Sequence, residues 1–181
     1  MGEFKFRLPE HWKPSDGQAK SIHVVGLDGI PSPCRVSLTD DGLLRIVRNQ
    51  DESGKVFLSW FFEEVGELTV ATGTLPESAT PYNLVVELAR GVLNRLRNQI
   101  SIWQEGGLDF SKDIFDLVAK ATSLLSRAIM ESDRNASDQG ANEALNIAML
   151  ANLKVSQHFG REVSAYRTTE PEMPRLSLIH I

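Results

Sequence analysis

The sequence is poor in cysteine: Cys34 is the only one in 181 residues. A single thiol excludes an internal disulfide framework and a cysteine-built zinc site. Long apolar runs are missing too, none reaching the roughly 18 residues that a membrane span requires. The opening, MGEFKFRLPEHW, has no apolar core of a secretory signal, and Phe6 stands where a myristoylation site needs Ser or Thr. Positive charge is in deficit, with 19 Lys+Arg against 24 Asp+Glu and a net charge of −5. That balance argues against a chain built to grip nucleic-acid phosphates. The four histidines, His11, His23, His158 and His180, are scattered, with no two at metal-ligand spacing. No metal, cofactor, nucleic-acid or membrane partner is expected, and the chain reads as cytoplasmic.

What is present is a globular composition, 41% hydrophobic and 24% charged. The first part reads as β. Strands are predicted over 21–25, 34–38, 44–48, 55–60 and 67–72, from alternating polarity and β-branched content. Between them stand Gly26-Leu27-Asp28-Gly29-Ile30-Pro31, Asp40-Asp41-Gly42 and Asp51-Glu52-Ser53-Gly54, which are turn chemistry. From Thr80 the period changes. Thr80-Pro81 reads as an N-cap with Pro at the first helical position. Leu84, Leu88, Val92, Leu96, Ile100 and Trp103 then form a helical stripe, ended by Gly106-Gly107. A second helix is predicted from a cap at Asp109 or Ser111 to about Arg134, and a third from Ser137 or Asp138 through Gln139 to Tyr166. The small residues Ala141, Ala144, Ala148 and Ala151 allow close helix packing.

The expected fold class is α+β. An antiparallel β domain, a small sandwich or curled sheet, spans 1–78; three long helices packed as a hairpin or bundle span 79–167. Residues 168–175 read as an extended, Pro-containing linker. Residues 176–181, LSLIHI, look like the translated end of a sequencing adapter and are set aside as a processing scar. The chain is therefore expected to be the front piece of a longer protein.

Reactive constellations are scarce. Cys34 has no His or Asp close in sequence and reads as a small buried residue. The pairs Asp40/Asp41, Asp51/Glu52 and Glu63/Glu64 sit on turns, not at the separation of two glycosidase carboxylates. No catalytic residue is assigned. Gly91, inside a helix, costs about 1 kcal/mol relative to Ala, so a close backbone neighbour should compensate. Glu87, Arg90, Asn94 and Arg97 share one polar stripe, either a docking surface or a solvated face. Trp60-Phe61-Phe62 turns at least one ring outward if the strand continues, so Trp60 and Phe62 are candidates for stacking on a sugar.

The segments Glu87-Leu88-Ala89-Arg90-Gly91 and Leu96-Arg97-Asn98-Gln99, with Gly26-Leu27-Asp28-Gly29 and Pro33-Cys34-Arg35-Val36, resemble a bacterial family. It comprises the N-terminal regions of planctomycete-type proteins whose later part is a glycoside hydrolase family 10-like barrel. The resemblance runs over essentially all of residues 1–175, in order. It implies a non-catalytic accessory region of an intracellular xylanase-type hydrolase involved in carbohydrate metabolism. That region would pack on the same chain's barrel or bind polysaccharide, and both catalytic glutamates would lie in the barrel. The competing expectation is a protein-interaction module with no sugar function.

Overall fold

The computed structural model describes residues 2–7, 19–48, 53–62, 66–76 and 78–169; for 19–21, 60–62, 66–68, 135 and 163–169 it describes the backbone course only. The arrangement is α+β, with strands in two sheets followed by helices. The strands are β1 (Gly2–Arg7), β2 (Ala19–Gly26), β3 (Pro31–Ser32), β4 (Cys34–Leu38), β5 (Leu43–Arg48), β6 (Gly54–Phe62), β7 (Gly66–Ala71) and β8 (Tyr82–Asn83). The helices are α1 (Leu84–Glu105), α2 (Lys112–Met130) and α3 (Arg134–Thr169).

One sheet has the order β4-β5-β1-β8 and the other β3-β2-β6-β7. Strand periodicity sends alternate side chains inward. Phe4 and Phe6 of β1 stand across from Ile46 and Leu44 of β5. In the second sheet Val24 of β2 stands across from Val56 of β6. All six are buried, with Leu58 and Leu75 beside them. Each such side chain contributes about 1.5–3 kcal/mol by leaving water. The Asp40-Asp41-Gly42 turn joins β4 to β5, with Gly42 at φ +78°, a conformation that glycine adopts without strain.

Strand β1 was not foreseen, although Phe4 and Phe6 alternate with Glu3 and Lys5. The helix start also differs from expectation. Tyr82 and Asn83 pair in parallel with Phe6 and Arg7 of β1, so the helix begins at Leu84 with Asn83, not Thr80, as N-cap. The sheets are therefore not wholly antiparallel. The third helix likewise begins earlier than predicted. Asp133 Oδ1 accepts from the Ala136 amide, and Ser137 and Asp138 lie inside α3, where their side chains reach other elements. Thr168 and Thr169 belong to α3, not to a linker; 170–181 lie outside the described residues.

The three helices run up, down and up. The Ala141, Ala144, Ala148 and Ala151 stripe is wholly buried, and a Cβ on Gly140 would meet Ala128 Cβ at 3.3 Å. Small side chains thus bring α2 and α3 close together. No break in packing follows residue 78. One apolar cluster runs from Phe4, Val24 and Val56 through Leu84, Leu88 and Val92 to Ala144 and Ala148. A smaller cluster, with Leu96, Ile100, Phe110, Ile114, Ala151 and Val155, closes the far end of the helices. There Trp103 stacks on Phe159 at 4.2 Å.

Candidate functional site

The polar stripe on α1 is divided by the fold. About two turns into α1, at Gly91, the helix is pressed against the end of β7. A Cβ added to Gly91 would lie 2.1 Å from the Ala71 carbonyl oxygen and 2.5 Å from Thr72 C. Only hydrogen fits there, which is why the helix tolerates this glycine. Glu87, one turn earlier, is buried. Its Oε2 accepts from Arg90 Nη1 at 3.1 Å. Burial pushes the Glu87 carboxyl up from its ordinary range, and the Arg90 cation partly opposes that. Tyr82, close by, donates its hydroxyl to the Pro76 carbonyl at 2.7 Å. Burial raises its phenol, with the Glu87 charge adding to the effect.

Further along α1 the stripe does other work. Arg97 Nη2 donates to Thr122 Oγ1 of α2, and Thr122 donates to the Val118 carbonyl. Arg97 is thereby tied into the α1–α2 seam, while Asn94 is exposed. Glu87 and Arg90 come together at the sheet corner; Asn94 and Arg97 do not join them. For Trp60 and Phe62 the backbone lies in β6, across from Leu68 and Gly66 of β7, but their side chains lie outside the described residues.

The structure adds polar groups that the sequence reading missed. Asn83 caps Val86 through Oδ1 and donates from Nδ2 to Asp138 Oδ1 at 2.6 Å. Arg7 Nη2 stands 3.6 Å from the same oxygen. Asp138 thus ties β1, β8 and α3 together; its sequence signal was misread as a cap. Ser137 Oγ donates to the Ala128 carbonyl at the end of α2.

Arg48 is the other unforeseen group. It is 1% exposed, with its guanidinium 4.4 Å above the Phe4 ring. Nε and Nη2 have no hydrogen-bond partner among the described residues. A Cβ at Gly54 would come within 2.8 Å of Nη1, so glycine there makes room for the cation. The signal was present in phase: Arg48 follows Leu44 and Ile46 at spacing two on β5.

The remaining reactive side chains sit apart. His23 stacks on Phe57 at 5.1 Å, on the second sheet. His158 tilts against Phe110 at 5.3 Å, at the far end of the helices. Cys34 Sγ donates to the Ile22 carbonyl at 3.6 Å, and burial pushes its thiol up. At the start of α2, Asp113 is held at about 2 by Lys154 of α3 and by Ser111. Among the described residues no three His, Cys, Asp or Glu side chains gather as metal ligands. No helix among them is long and apolar enough to cross a membrane. His11, Trp12, the Asp51/Glu52 and Glu63/Glu64 pairs and His180 lie outside the described residues.

Compared with known proteins, the chain matches no family model and no curated protein.

Proposed function

We propose that this chain works as a non-catalytic accessory module whose task is to dock on protein. Such a module is of the kind expected beside a glycoside hydrolase family 10-like barrel, in an intracellular protein of carbohydrate metabolism. The observation that carries the reading is where the chemically capable side chains among the described residues have gone. Glu87 and Arg90 pair with each other beside Gly91, His23 stacks on Phe57, and Cys34 bonds a strand carbonyl. Each has a packing task on a different element, and a general acid, a base and a nucleophile must instead converge within hydrogen-bond reach.

The segment with the most specific family resemblance supports the same reading. In Glu87-Leu88-Ala89-Arg90-Gly91, Leu88 and Ala89 enter the core, while Gly91 seats the helix against the end of β7 and Glu87 pairs with Arg90. Its residues serve assembly of the fold.

Activity measurements on the purified chain test this. Incubation with xylan and with aryl β-xylosides should release no product, and electrophoresis through xylan-containing gels should show no retardation. Product formation overturns the non-catalytic reading. Retardation by glycan moves the module from protein docking to polysaccharide binding.

A further inference from the structure

Strand β4 ends the first sheet, with β5 on one side and no strand among the described residues on the other. Its Val36 and Leu38 pair with Ile46 and Leu44 of β5. Residues directly across from each other point to the same face of a sheet, so these two apolar side chains share the face of the buried core. Ile46 is 0% and Leu44 7% exposed, yet Val36 is 41% and Leu38 53% exposed. The core face of the sheet thus runs out into solvent at this edge. An edge strand also leaves alternate N–H and C=O groups unpaired within its sheet.

The opposite face of the same edge is basic. Arg35 stands beside Val47 and Ser37 beside Arg45; the next strand adds Glu3 and Lys5 in the same rows. Arg45 Nε reaches Glu3 Oε1 at 2.6 Å and Lys5 Nζ reaches it at 3.6 Å. Two cations therefore meet one carboxylate, and Arg35 adds a third positive charge to this face, on a chain whose net charge is −5. Arg35 is exposed and lies nearest the open edge.

We propose that the free edge of β4 receives an extended strand of a protein partner in which apolar residues alternate with acidic ones. The inference rests on the docking reading above and names its partner chemistry. Main-chain bonds to β4 supply the pairing, and alternate side chains supply selectivity. Apolar residues of the incoming strand continue the core face beside Val36 and Leu38. Its acidic residues fall on the other face, beside Arg35 and toward Arg45. Pro33 precedes β4 and lacks a donor, and the turn to β5 follows at once, so about five residues pair, the length of Cys34–Leu38. Charge disfavours a second copy of this chain as occupant, because pairing β4 with itself brings two arginine-bearing faces side by side.

Fluorescence anisotropy with labelled heptapeptides on the full chain tests the proposal. A peptide alternating Glu and Val should bind saturably, and one alternating Lys and Val at least tenfold more weakly. Backbone N-methylation along one edge of the Glu-Val peptide should abolish binding. Arg35→Glu should reverse the charge preference, and Leu38→Thr should weaken both peptides; circular dichroism checks that these exposed substitutions leave the fold intact. Absent saturation, equal binding of the two charges, or indifference to N-methylation overturns the proposal. So does a dimer in native mass spectrometry that Val36→Lys dissociates, since a second copy then holds the edge. These failures leave the non-catalytic reading standing, whereas glycan turnover removes that reading whatever the peptides do.

Discussion

The two ends of the first sheet receive opposite treatment. At one, β8 passes directly into α1, whose Leu84, Val85, Leu88 and Ala89 continue the apolar cluster that both sheets feed. At the other, β4 carries Val36 and Leu38 on the core face but in solvent. Similar apolar side chains thus serve stability at the helix-sealed edge and remain available at the open one. Hydrophobic character alone does not mark a residue as core; the neighbour that covers it decides.

The comparison breaks first at Gly91. In an exposed helix, replacing Gly by Ala stabilises by about 1 kcal/mol. Here the new methyl would lie 2.1 Å from the Ala71 oxygen, so the α1–β7 seam must open. Gly91→Ala should destabilise by about 3 kcal/mol, the upper range for overpacking, as read by urea denaturation. Gly160→Ala on α3 is the control, because a Cβ there meets nothing within 4 Å; it should match or exceed the parent. Equal behaviour of the two variants would show that the helix does not bear on β7.

A smaller effect of opposite sign is expected at Arg48, on the strand next to the open edge. Its guanidinium is fully buried over Phe4, with Nε and Nη2 unpartnered among the described residues. Desolvation of a cation outweighs the attraction of one ring, and methionine fills a similar shape without charge. Arg48→Met should therefore stabilise by about 1–2 kcal/mol. A loss of stability on that change means that the cation is better satisfied than its neighbours indicate.

These positions also show what was legible before the structure. The β4 and β5 strands and the Gly42 turn were read from alternation and turn chemistry, because a half-buried sheet imposes a period of two. The stripe from Leu84 to Ile100 was likewise read from its helical period. Strand β1 escaped because six residues at the chain start carry no turn signal; its partner β5 is about 40 positions away. The start of α1 was misplaced because Thr80-Pro81 satisfies the local rules for a cap, while tertiary pairing with β1 takes Tyr82 and Asn83. Gly91 announced a close neighbour without naming it. The candidate docking stripe is divided for a related reason: Gly91, between Arg90 and Asn94, meets the end of β7 while Arg97 bonds Thr122 of α2, and sequence spacing does not reveal two partners. Trp60 and Phe62 gain no support, since their side chains fall outside the described residues.

At the sealed edge, pH offers a finer probe. The Glu87 carboxyl has a folded-state pKa raised above its unfolded value, chiefly by burial. Between those two values the native state binds more protons than the unfolded chain, so stability falls as pH rises through that window. The loss is complete above the folded pKa, and below the unfolded one the protonated carboxyl carries no penalty. Glu87→Gln should stabilise at neutral pH by about 1 kcal/mol or less, with the advantage fading as pH drops through the window. Denaturant midpoints of parent and variant, measured from neutral pH down to acid, check this. A variant less stable at neutral pH would assign the Arg90 pair more weight than burial.

The smallest effect belongs to the open edge. Leu38 shares the core face with Leu44 but is 53% exposed, against 7% for its partner. Thr supplies the β-branching suited to a strand and removes apolar surface that water already reaches. Leu38→Thr should therefore shift stability by less than about 0.5 kcal/mol, the range of ordinary surface substitutions. Leu44→Thr, opposite it, should cost several times more, because it places a hydroxyl in the core. The ratio of the two, from paired denaturation curves, measures how far cover rather than sequence type sets the worth of a leucine. Near-equal losses would mean that the edge of β4 is already covered in solution, and the docking surface would have an occupant within the chain itself.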